Sequence, residues 1–255
     1  MRDCISSLLS LVAGISVLVT PVQGAELPKQ CGVPAEFVRL EYPLPRLSEK
    51  LQLGQPVTIV AIGSSSTAGT GASSAKATYP SRLQADLKAM FPRSTITMIN
   101  RGVPGDTSAG MIGRFKHDAI EPKPDLIIWQ TGTNSALGGG NVERYTADLQ
   151  RGIRMARKHN IEILLMSPQF APRFESVSNR MTFIDHLHAI AEREQVPVFH
   201  RYEMMKHWIK SGQFTNQTMI NPDGLHLTDL SYACLGWQMA RMIGAPAVAT
   251  AHAAR

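Results

Sequence analysis

Two kinds of segment alternate along the chain from residue 57 onward. Short, almost wholly apolar runs are typical of strands that are covered on both faces of a sheet. The longer segments between them mix apolar and polar residues and are typical of helices. The short runs predict strands at Val57–Ile62, Thr95–Ile99, Asp125–Thr131, Ile161–Ser167 and Val196–Phe199. The longer segments predict helices at Tyr79–Phe91, Ser108–Ile120, Val142–His159, Asn179–Glu194, Tyr202–Ser211 and from Thr228 to about Ile243.

This alternation of strands and helices predicts a parallel sheet that is doubly wound. Because crossover connections between parallel strands are right-handed, the helices are expected on both faces of the sheet. The predicted fold class is therefore α/β, a three-layer α/β/α sandwich around a five-stranded parallel sheet. Ligands of such folds bind beyond the carboxyl ends of the strands.

The N-terminal residues have a different composition. An apolar stretch runs from about Ile5 to Val22 and is followed by small residues. This order predicts a secretory signal peptide over residues 1–25. The alternative is an uncleaved membrane anchor, although the stretch is short and interrupted for a spanning helix. No later segment is apolar enough to cross a bilayer, so we expect a periplasmic or secreted protein without stable membrane insertion after cleavage.

Removal of the signal leaves two cysteines, Cys31 and Cys234. An even pair in an oxidising compartment is a candidate disulfide, and two separate buried thiols are the alternative. The bond would tie residues 26–56, a proline-containing segment predicted as an extended arm with a short helix around Leu47–Leu51, to the last helix. We assign residues 57–245 to one domain and residues 246–255 to a C-terminal tail.

The formal net charge is +6. The basic residues are scattered through the predicted helices, which is typical of a solvated surface. Nucleic-acid binding would need a basic patch with interleaved aromatic residues. Because the sequence has no such patch, we predict no nucleic-acid partner.

Four polar segments carry the candidate chemistry, and the first three follow predicted strands. They are Gly63–Gly69, Asn100–Ser108, Gln130–Ser135 and Asn221–Thr228. Each has a purely structural alternative, because Ser, Thr, Asn, Asp and Gly also form turns and cap helices. Their position at strand ends favours a site, since parallel sheets place their ligands there.

The last segment contains a carboxylate and an imidazole, Asp223 and His226, three residues apart. Asp223 could accept a hydrogen bond from Nδ1 of His226, leaving Nε2 to act as a base toward a serine. A serine hydroxyl needs such a base to become a good nucleophile. The alternatives are a turn residue at Asp223 and a core histidine at His226. The serine run of the first segment lacks the Gly-x-Ser-x-Gly pattern of standard α/β-hydrolases.

Together the four segments resemble the sequence blocks of the SGNH hydrolase superfamily, also called GDSL esterases and lipases. Ser65 matches the nucleophile of the first block, Gly105 the glycine of the second, and Asn134 the asparagine of the third. Asp223 and His226 match the last block, Asp-x-x-His. The blocks occur in the family's order, and the resemblance covers most of the chain after the signal.

The resemblance implies a flavodoxin-like SGNH hydrolase fold and a carboxylic ester hydrolase. Ser65 would attack the ester carbonyl, His226 would take its proton, and Asp223 would hold the imidazole. The backbone N–H groups of Ser65 and Gly105 and the side-chain amide of Asn134 would form the oxyanion hole.

No metal or organic cofactor is needed for this chemistry. His186 and His188 are close in sequence, but residues two apart on a helix point to different faces. We therefore predict that they are unrelated to a metal.

Two positions depart from the family pattern. Ser64 replaces the Asp of the first block, and Ser135 replaces the Asp that follows the asparagine of the third. Neither position carries the nucleophile, base or oxyanion role in the family. The substitutions are expected to change loop hydrogen bonding and substrate preference.

We predict an exported serine esterase whose substrate is an ester, with an acylated carbohydrate or envelope glycan favoured by family and compartment. The alternatives are a lipase, lysophospholipase or thioesterase, an O-acyltransferase, and an inactive glycan-binding module. The segments Leu137–Asn141 and Pro168–Met181 either shape the substrate pocket or are plain connections.

Overall fold

The computed structural model describes residues 29–253 of the chain. The predicted signal peptide, residues 1–25, lies outside the described residues. Among the helices of the described part, none is both long and apolar enough to span a bilayer.

The centre of the fold is a five-stranded, all-parallel sheet, as the sequence predicts. Its strands are β1 (Val57–Gly63), β2 (Ile96–Gly102), β3 (Leu126–Gln130), β4 (Glu162–Met166) and β5 (Val198–Phe199). Their order in the sheet is β2-β1-β3-β4-β5, the flavodoxin-like arrangement. The apolar residues of β3 are buried along its whole length, because helices cover both faces of a parallel sheet.

Eleven α-helices surround this sheet within the described residues. They are α1 (Pro45–Leu53), α2 (Ser65–Ala68), α3 (Tyr79–Met90), α4 (Ser108–Phe115), α5 (Thr133–Leu137), α6 (Val142–Lys158), α7 (Pro172–Glu175), α8 (Arg180–Arg193), α9 (Arg201–Lys210), α10 (Asn216–Met219) and α11 (Asp229–Ala253). A π-helical turn, Lys116–Ile120, extends α4. One layer contains α1, α3 and α11, and the other contains α4, α6 and α8.

Close packing against the sheet explains one glycine of α6. A Cβ atom on Gly152 would lie 2.3 Å from the ring of Trp129 on β3. The Trp129 ring is fully buried and packs on Phe115 of α4, with ring centroids 5.0 Å apart. The helix can therefore approach β3 only where it has no side chain.

The segment predicted as an extended arm contains helix α1 where the sequence predicts a short helix, and it also contains two 3₁₀ turns that the sequence does not predict. Its helix α1 begins with Pro45 at the first position, where a missing N–H costs nothing. Both carboxylate oxygens of Glu162 on β4 accept hydrogen bonds, each 3.0 Å long, from the backbone N–H groups of Arg46 and Leu47. Leu47 and Leu51 are buried in the main core. The arm is thus packed onto the amino-terminal edge of the sheet.

A covalent bond joins the arm to the last helix. Cys31, in a 3₁₀ turn of the arm, forms a disulfide with Cys234 of α11, and the two Cα atoms are 5.3 Å apart. Trp208 Nε1 donates a hydrogen bond of 3.1 Å to the carbonyl oxygen of Gly32 beside this turn. The disulfide spans 203 positions of sequence.

Two predicted boundaries differ from the structure by three residues or more. Strand β2 continues to Gly102, so Asn100 and Arg101 lie in the strand rather than in a loop after it. The pairing of Gly63 with Gly102 extends the ladder because both strands run to the same edge. Helix α11 continues to Ala253 with Pro246 inside it, beyond the predicted end near Ile243. Proline usually ends a helix, whereas the alanines around this one favour continuation.

Candidate active site

Ser65 lies where β1 ends and α2 begins, at the carboxyl edge of the sheet. Its side chain is 7% exposed. As the first residue of the helix, it has a backbone N–H without an intrahelical acceptor. An N–H group at this position is a ready donor to an anion.

The turn before Ser65 is held by Gln130, the last residue of β3. Its Oε1 atom accepts hydrogen bonds from the backbone N–H of Ser64 at 2.8 Å and from the hydroxyls of Ser64 and Thr67 at 3.1 Å each. A Cβ atom on Gly63 would lie 2.7 Å from this oxygen and 2.2 Å from the Thr67 hydroxyl. Ser64, where the family has Asp, therefore serves to anchor the serine turn to the neighbouring strand.

A second clamp comes from β2. A Cβ atom on Gly102 would lie 2.0 Å from the backbone nitrogen of Ala68 in α2, so that only glycine allows the helix to lie on the strand. Asn100 Nδ2 donates a hydrogen bond of 2.7 Å to the carbonyl oxygen of Thr67. Arg114 of α4 donates to the carbonyl oxygen of Gly63 at 3.0 Å.

His226 approaches Ser65 from a loop 161 positions away in sequence. Its Nε2 atom is 3.0 Å from the Ser65 hydroxyl oxygen, and its Nδ1 atom is hydrogen-bonded to a carboxylate oxygen of Asp223. Donation from Nδ1–H to the carboxylate leaves the Nε2 lone pair to accept from the serine. The structure thus brings the three predicted residues together in a hydrogen-bonded chain from Asp223 through His226 to Ser65.

The loop that carries Asp223 and His226 is braced internally. One carboxylate oxygen of Asp223 accepts hydrogen bonds of 2.9 Å from the backbone N–H groups of Leu225 and His226. Gly224 has φ of 72°, a left-handed conformation that favours glycine. An antiparallel bridge between Ile220 and Leu227 closes the loop. The carboxylate is therefore oriented by its own loop as well as by the imidazole.

The charge of Asp223 is also stabilised. Burial alone would raise its pKa, but hydrogen bonds from the His226 ring and from the backbone of His226 and Leu225 outweigh it and hold the pKa at about 2. The carboxylate therefore stays ionised at neutral pH. It is suited to stabilising a charged imidazole rather than to accepting its proton.

Asn134 lies in α5, just past the end of β3. Gly132, with φ of 99°, forms the turn into this helix. Asn134 Nδ2 donates a hydrogen bond of 2.9 Å to the carbonyl oxygen of Asp106, the residue after Gly105. Gly105 has φ of 79° and open space where a Cβ would lie. The second and third blocks are thus joined through this bond, and the second amide hydrogen of Asn134 remains for a ligand.

Ser135 supports the neighbouring helix. Its hydroxyl oxygen accepts a hydrogen bond of 3.3 Å from the backbone N–H of Ser108, the first residue of α4. The Ser108 hydroxyl in turn donates to the carboxylate of Asp148 at 2.8 Å. Ser135, where the family has Asp, therefore contributes to holding the end of α4 beside Asn134.

A buried polar layer beneath the site was not found from the sequence. Arg201 is fully buried and donates hydrogen bonds of 2.9 Å to the carbonyl oxygen of Ser167 and to Oε1 of Gln169. The same Gln169 oxygen accepts from the Thr133 hydroxyl at 2.9 Å, and Gln169 Nε2 donates to the carbonyl oxygen of Leu225 at 3.4 Å. Burial lowers the pKa of Arg201 to about 10, so it remains charged at neutral pH. This layer connects the end of β4 to α5 and to the histidine loop.

The parallel sheet and the four ordered blocks at its carboxyl edge are those of the SGNH hydrolase superfamily, as the sequence predicts. A model of the Non-GDSL lipase-like family matches residues 30–249, including most of the arm. The chain belongs to this family.

Two curated relatives are esterases by name. The chain is 25% identical to an arylesterase of Vibrio mimicus over 131 residues, which cover 51% of this chain and 62% of the arylesterase. It is 27% identical to the esterase TesA of Pseudomonas aeruginosa over 136 residues, covering 51% of this chain and 60% of TesA. The similarity therefore spans about three fifths of the length of each relative.

Solved structures share the fold. A two-domain esterase active on acetylated mannans superposes with a TM-score of 0.69 at 19% identity, covering 83% of this chain and 56% of that protein. A mutant form of Axe2, an acetyl-xylooligosaccharide esterase from Geobacillus, superposes with a TM-score of 0.63 at 21% identity, covering 74% of this chain and 94% of that protein. At these identities the likeness extends to the fold alone.

Proposed function

We propose that the protein is a carboxylic ester hydrolase that uses Ser65, His226 and Asp223 as a catalytic triad. The observation that carries this proposal is the distance of 3.0 Å between Nε2 of His226 and the hydroxyl oxygen of Ser65, with Nδ1 of the same ring bonded to Asp223. The membership in a lipase-like family and the two esterase relatives support the reaction class.

The reaction begins when Nε2 of His226 takes the Ser65 proton as the hydroxyl oxygen attacks the ester carbonyl. The tetrahedral oxyanion is stabilised by the backbone N–H groups of Ser65 and Gly105 and by the Asn134 amide. The imidazolium gives its proton to the departing alcohol, which leaves an acyl group on Ser65. A water molecule, deprotonated by His226, then attacks the acyl-enzyme and releases the acid.

The favoured substrate is an ester with a short acyl group, most simply an acetylated carbohydrate. A cavity of about 130 Å³ adjoins Asn134, the proposed oxyanion donor, and is lined in part by Gly138, Gly140 and Asn141 of the glycine-rich loop but not by Ser65 or His226. Pockets for drug-sized ligands measure roughly 300–1,000 Å³, so this cavity suits a small group. The solved structures of similar fold include esterases for acetylated mannan and acetylated xylooligosaccharides.

We also propose that the protein works outside the cytoplasm, in the periplasm or after secretion. The Cys31–Cys234 disulfide supports this location, because such bonds persist in oxidising compartments. The predicted signal peptide is consistent with the same route.

Hydrolysis of p-nitrophenyl acetate, butyrate and octanoate tests the acyl preference. We expect the highest kcat/KM on acetate and a value at least about tenfold lower on octanoate, because the longer chain exceeds the small cavity. Release of acetate from acetylated xylooligosaccharides and mannooligosaccharides tests the alcohol side. A preference for octanoate would contradict the short-acyl proposal and favour a lipase. Transfer of the acyl group to an added sugar with little free acid would favour an acyltransferase.

Replacing Asn134 with Ala is expected to lower kcat on p-nitrophenyl acetate by about 100-fold or more, with a smaller change in KM. The lost amide donates to an oxyanion that exists only after attack, so its removal affects the transition state more than the bound substrate. Steady-state kinetics measure the effect. Asn216→Ala, a change at an exposed asparagine of α10, is the matched control and should behave as wild type. Equal kcat values in both variants would exclude Asn134 from the oxyanion hole.

A further inference from the structure

A group of potential metal ligands lies outside the proposed active site. His188 is on α8, His200 directly follows β5, and Glu203 is in the first turn of α9. One ligand atom from each residue lies within 4.8 Å of the others. Since β3 and β4 separate β5 from β1 and adjacent strands are about 4.8 Å apart, this group is roughly 14 Å across the sheet from the serine strand.

The atoms of this group face each other without being hydrogen-bonded. Nε2 of His188 is 3.7 Å from one carboxylate oxygen of Glu203, and Nδ1 of His200 is 3.9 Å from the other. Both separations exceed hydrogen-bond length. Nε2 of His188 and Oε2 of Glu203 are buried and have no hydrogen-bond partner among the described residues. Buried polar atoms normally have partners, so this pair points to a ligand between them.

Glu41 of the arm supplies an orienting contact for the group. Its carboxylate is 2.6 Å from Nε2 of His200. A carboxylate in this position accepts a hydrogen bond from Nε2–H, which leaves the Nδ1 lone pair directed toward Glu203. Histidines that bind metals characteristically donate their other ring N–H in this way.

The group also has room for a further ligand. A cavity of about 250 Å³ is lined by both histidines together with Glu41, Tyr42 and Glu192. A catalytic or labile metal site keeps at least one coordination position for water or another small ligand.

We propose that His188 Nε2, His200 Nδ1 and the Glu203 carboxylate bind a divalent transition-metal ion of the Zn²⁺ class. In a tetrahedral site with zinc–ligand distances of about 2.0–2.1 Å, neighbouring ligand atoms are about 3.3 Å apart. The ligand atoms, which lie within 4.8 Å of one another, need to draw together by up to about 1.5 Å to reach these separations. Two imidazoles and one carboxylate suit zinc better than the oxygen-preferring Mg²⁺ or Ca²⁺.

The ion would join α8, the end of β5 and α9, and through Glu41 it would also secure the arm. The ion therefore lies outside the proposed triad, and ester hydrolysis at Ser65 does not depend on it. The sequence predicts no metal at His188 because its neighbour His186 lies on another face of the helix, but His200 and Glu203 are brought to it only by the fold. The His186 ring instead lies 2.9 Å from the Thr146 hydroxyl, so the two histidines do point in different directions.

Titration of the untagged, EDTA-treated protein with ZnCl₂ in a calorimeter tests this site. We expect saturable one-to-one binding and a higher Tm with Zn²⁺, since a ligand of the native state stabilises it. MgCl₂ should produce neither effect. Glu41→Gln keeps all three ligands but removes the orienting charge, and we expect it to weaken Zn²⁺ binding about 10- to 100-fold. His188→Ala and Glu203→Gln should each weaken it further.

His159→Ala is the matched control, because this exposed histidine lies at the end of α6. It should bind Zn²⁺ as wild type does. If His188→Ala does not fold, the Zn²⁺ affinities of Glu203→Gln and Glu41→Gln are compared with that of His159→Ala instead. The proposal is overturned if the apoprotein binds no Zn²⁺, or if the Glu203 and Glu41 variants bind it as tightly as the His159 variant. The rate of ester hydrolysis is measured on the same variants. Because the triad lies elsewhere, a failure of the metal proposal and a failure of the triad proposal give different results.

Discussion

Replacing Ser65 with Ala is expected to lower kcat/KM on p-nitrophenyl acetate by about 10⁴- to 10⁶-fold. The hydroxyl oxygen lies 3.0 Å from Nε2 of His226, and without it no acyl-enzyme can form. Ser65 is only 7% exposed and lies at the start of a short helix. The substitution removes one oxygen atom and leaves the rest of the turn unchanged. Initial rates with an unchanged thermal unfolding curve measure the effect.

Ser66→Ala is the closest control for this change. The Ser66 hydroxyl is buried one position further along α2 and has no hydrogen-bond partner among the described residues. Its removal should leave the rate close to that of wild type. Loss of activity in the Ser66 variant with retention in the Ser65 variant would show that the assigned nucleophile is wrong. Retention in both would rule out a serine mechanism at this turn.

Removing the disulfide by the double change Cys31→Ala and Cys234→Ala is expected to lower the free energy of unfolding by about 2–5 kcal/mol. The bond closes a loop of 203 positions, and cross-links over long loops restrict the unfolded chain the most. The loss should affect the arm first, because its 3₁₀ turn carries Cys31 at one end of the described chain. Urea unfolding followed by circular dichroism gives the difference.

Reduction provides an internal control for the disulfide prediction. Dithiothreitol should lower the stability of the wild-type protein toward that of the double variant and should leave the double variant unchanged. A wild-type protein whose urea midpoint is the same with and without dithiothreitol, and the same as that of the variant, would contradict the prediction. It would indicate that the packing of α1 and Trp208 alone secures the arm.

The elements of the sheet are predictable because their signals are local. The runs that became β1, β3 and β4 are apolar along almost their whole length, and only strands that are covered on both faces tolerate this composition. The boundaries were less predictable. Strand β2 continues through Asn100 and Arg101, where polar residues suggested a loop, because pairing with β1 supplies backbone partners to the strand whatever its side chains are.

The short helices were not predicted from the sequence, because they too depend on contacts with distant strands. Helices such as α2 and α5 have four or five residues, and isolated helices of that length are unstable. They form here because neighbouring strands hold them. Asn100 holds α2 against β2 by donating a hydrogen bond to the carbonyl oxygen of Thr67, a contact that no local pattern reveals.

The sequence by itself determined the class of fold and the residues that matched the ordered blocks, since apolar runs and short spacings are properties of neighbouring positions. The tertiary structure alone decided which groups support them. Gln130 holds the serine turn from 66 positions away, and Arg201 reaches Gln169 across 32. The His188, His200 and Glu203 group likewise comes from two helices and a strand end. Such contacts are created when the chain folds back on itself, and no run of neighbouring residues reveals which distant groups will meet.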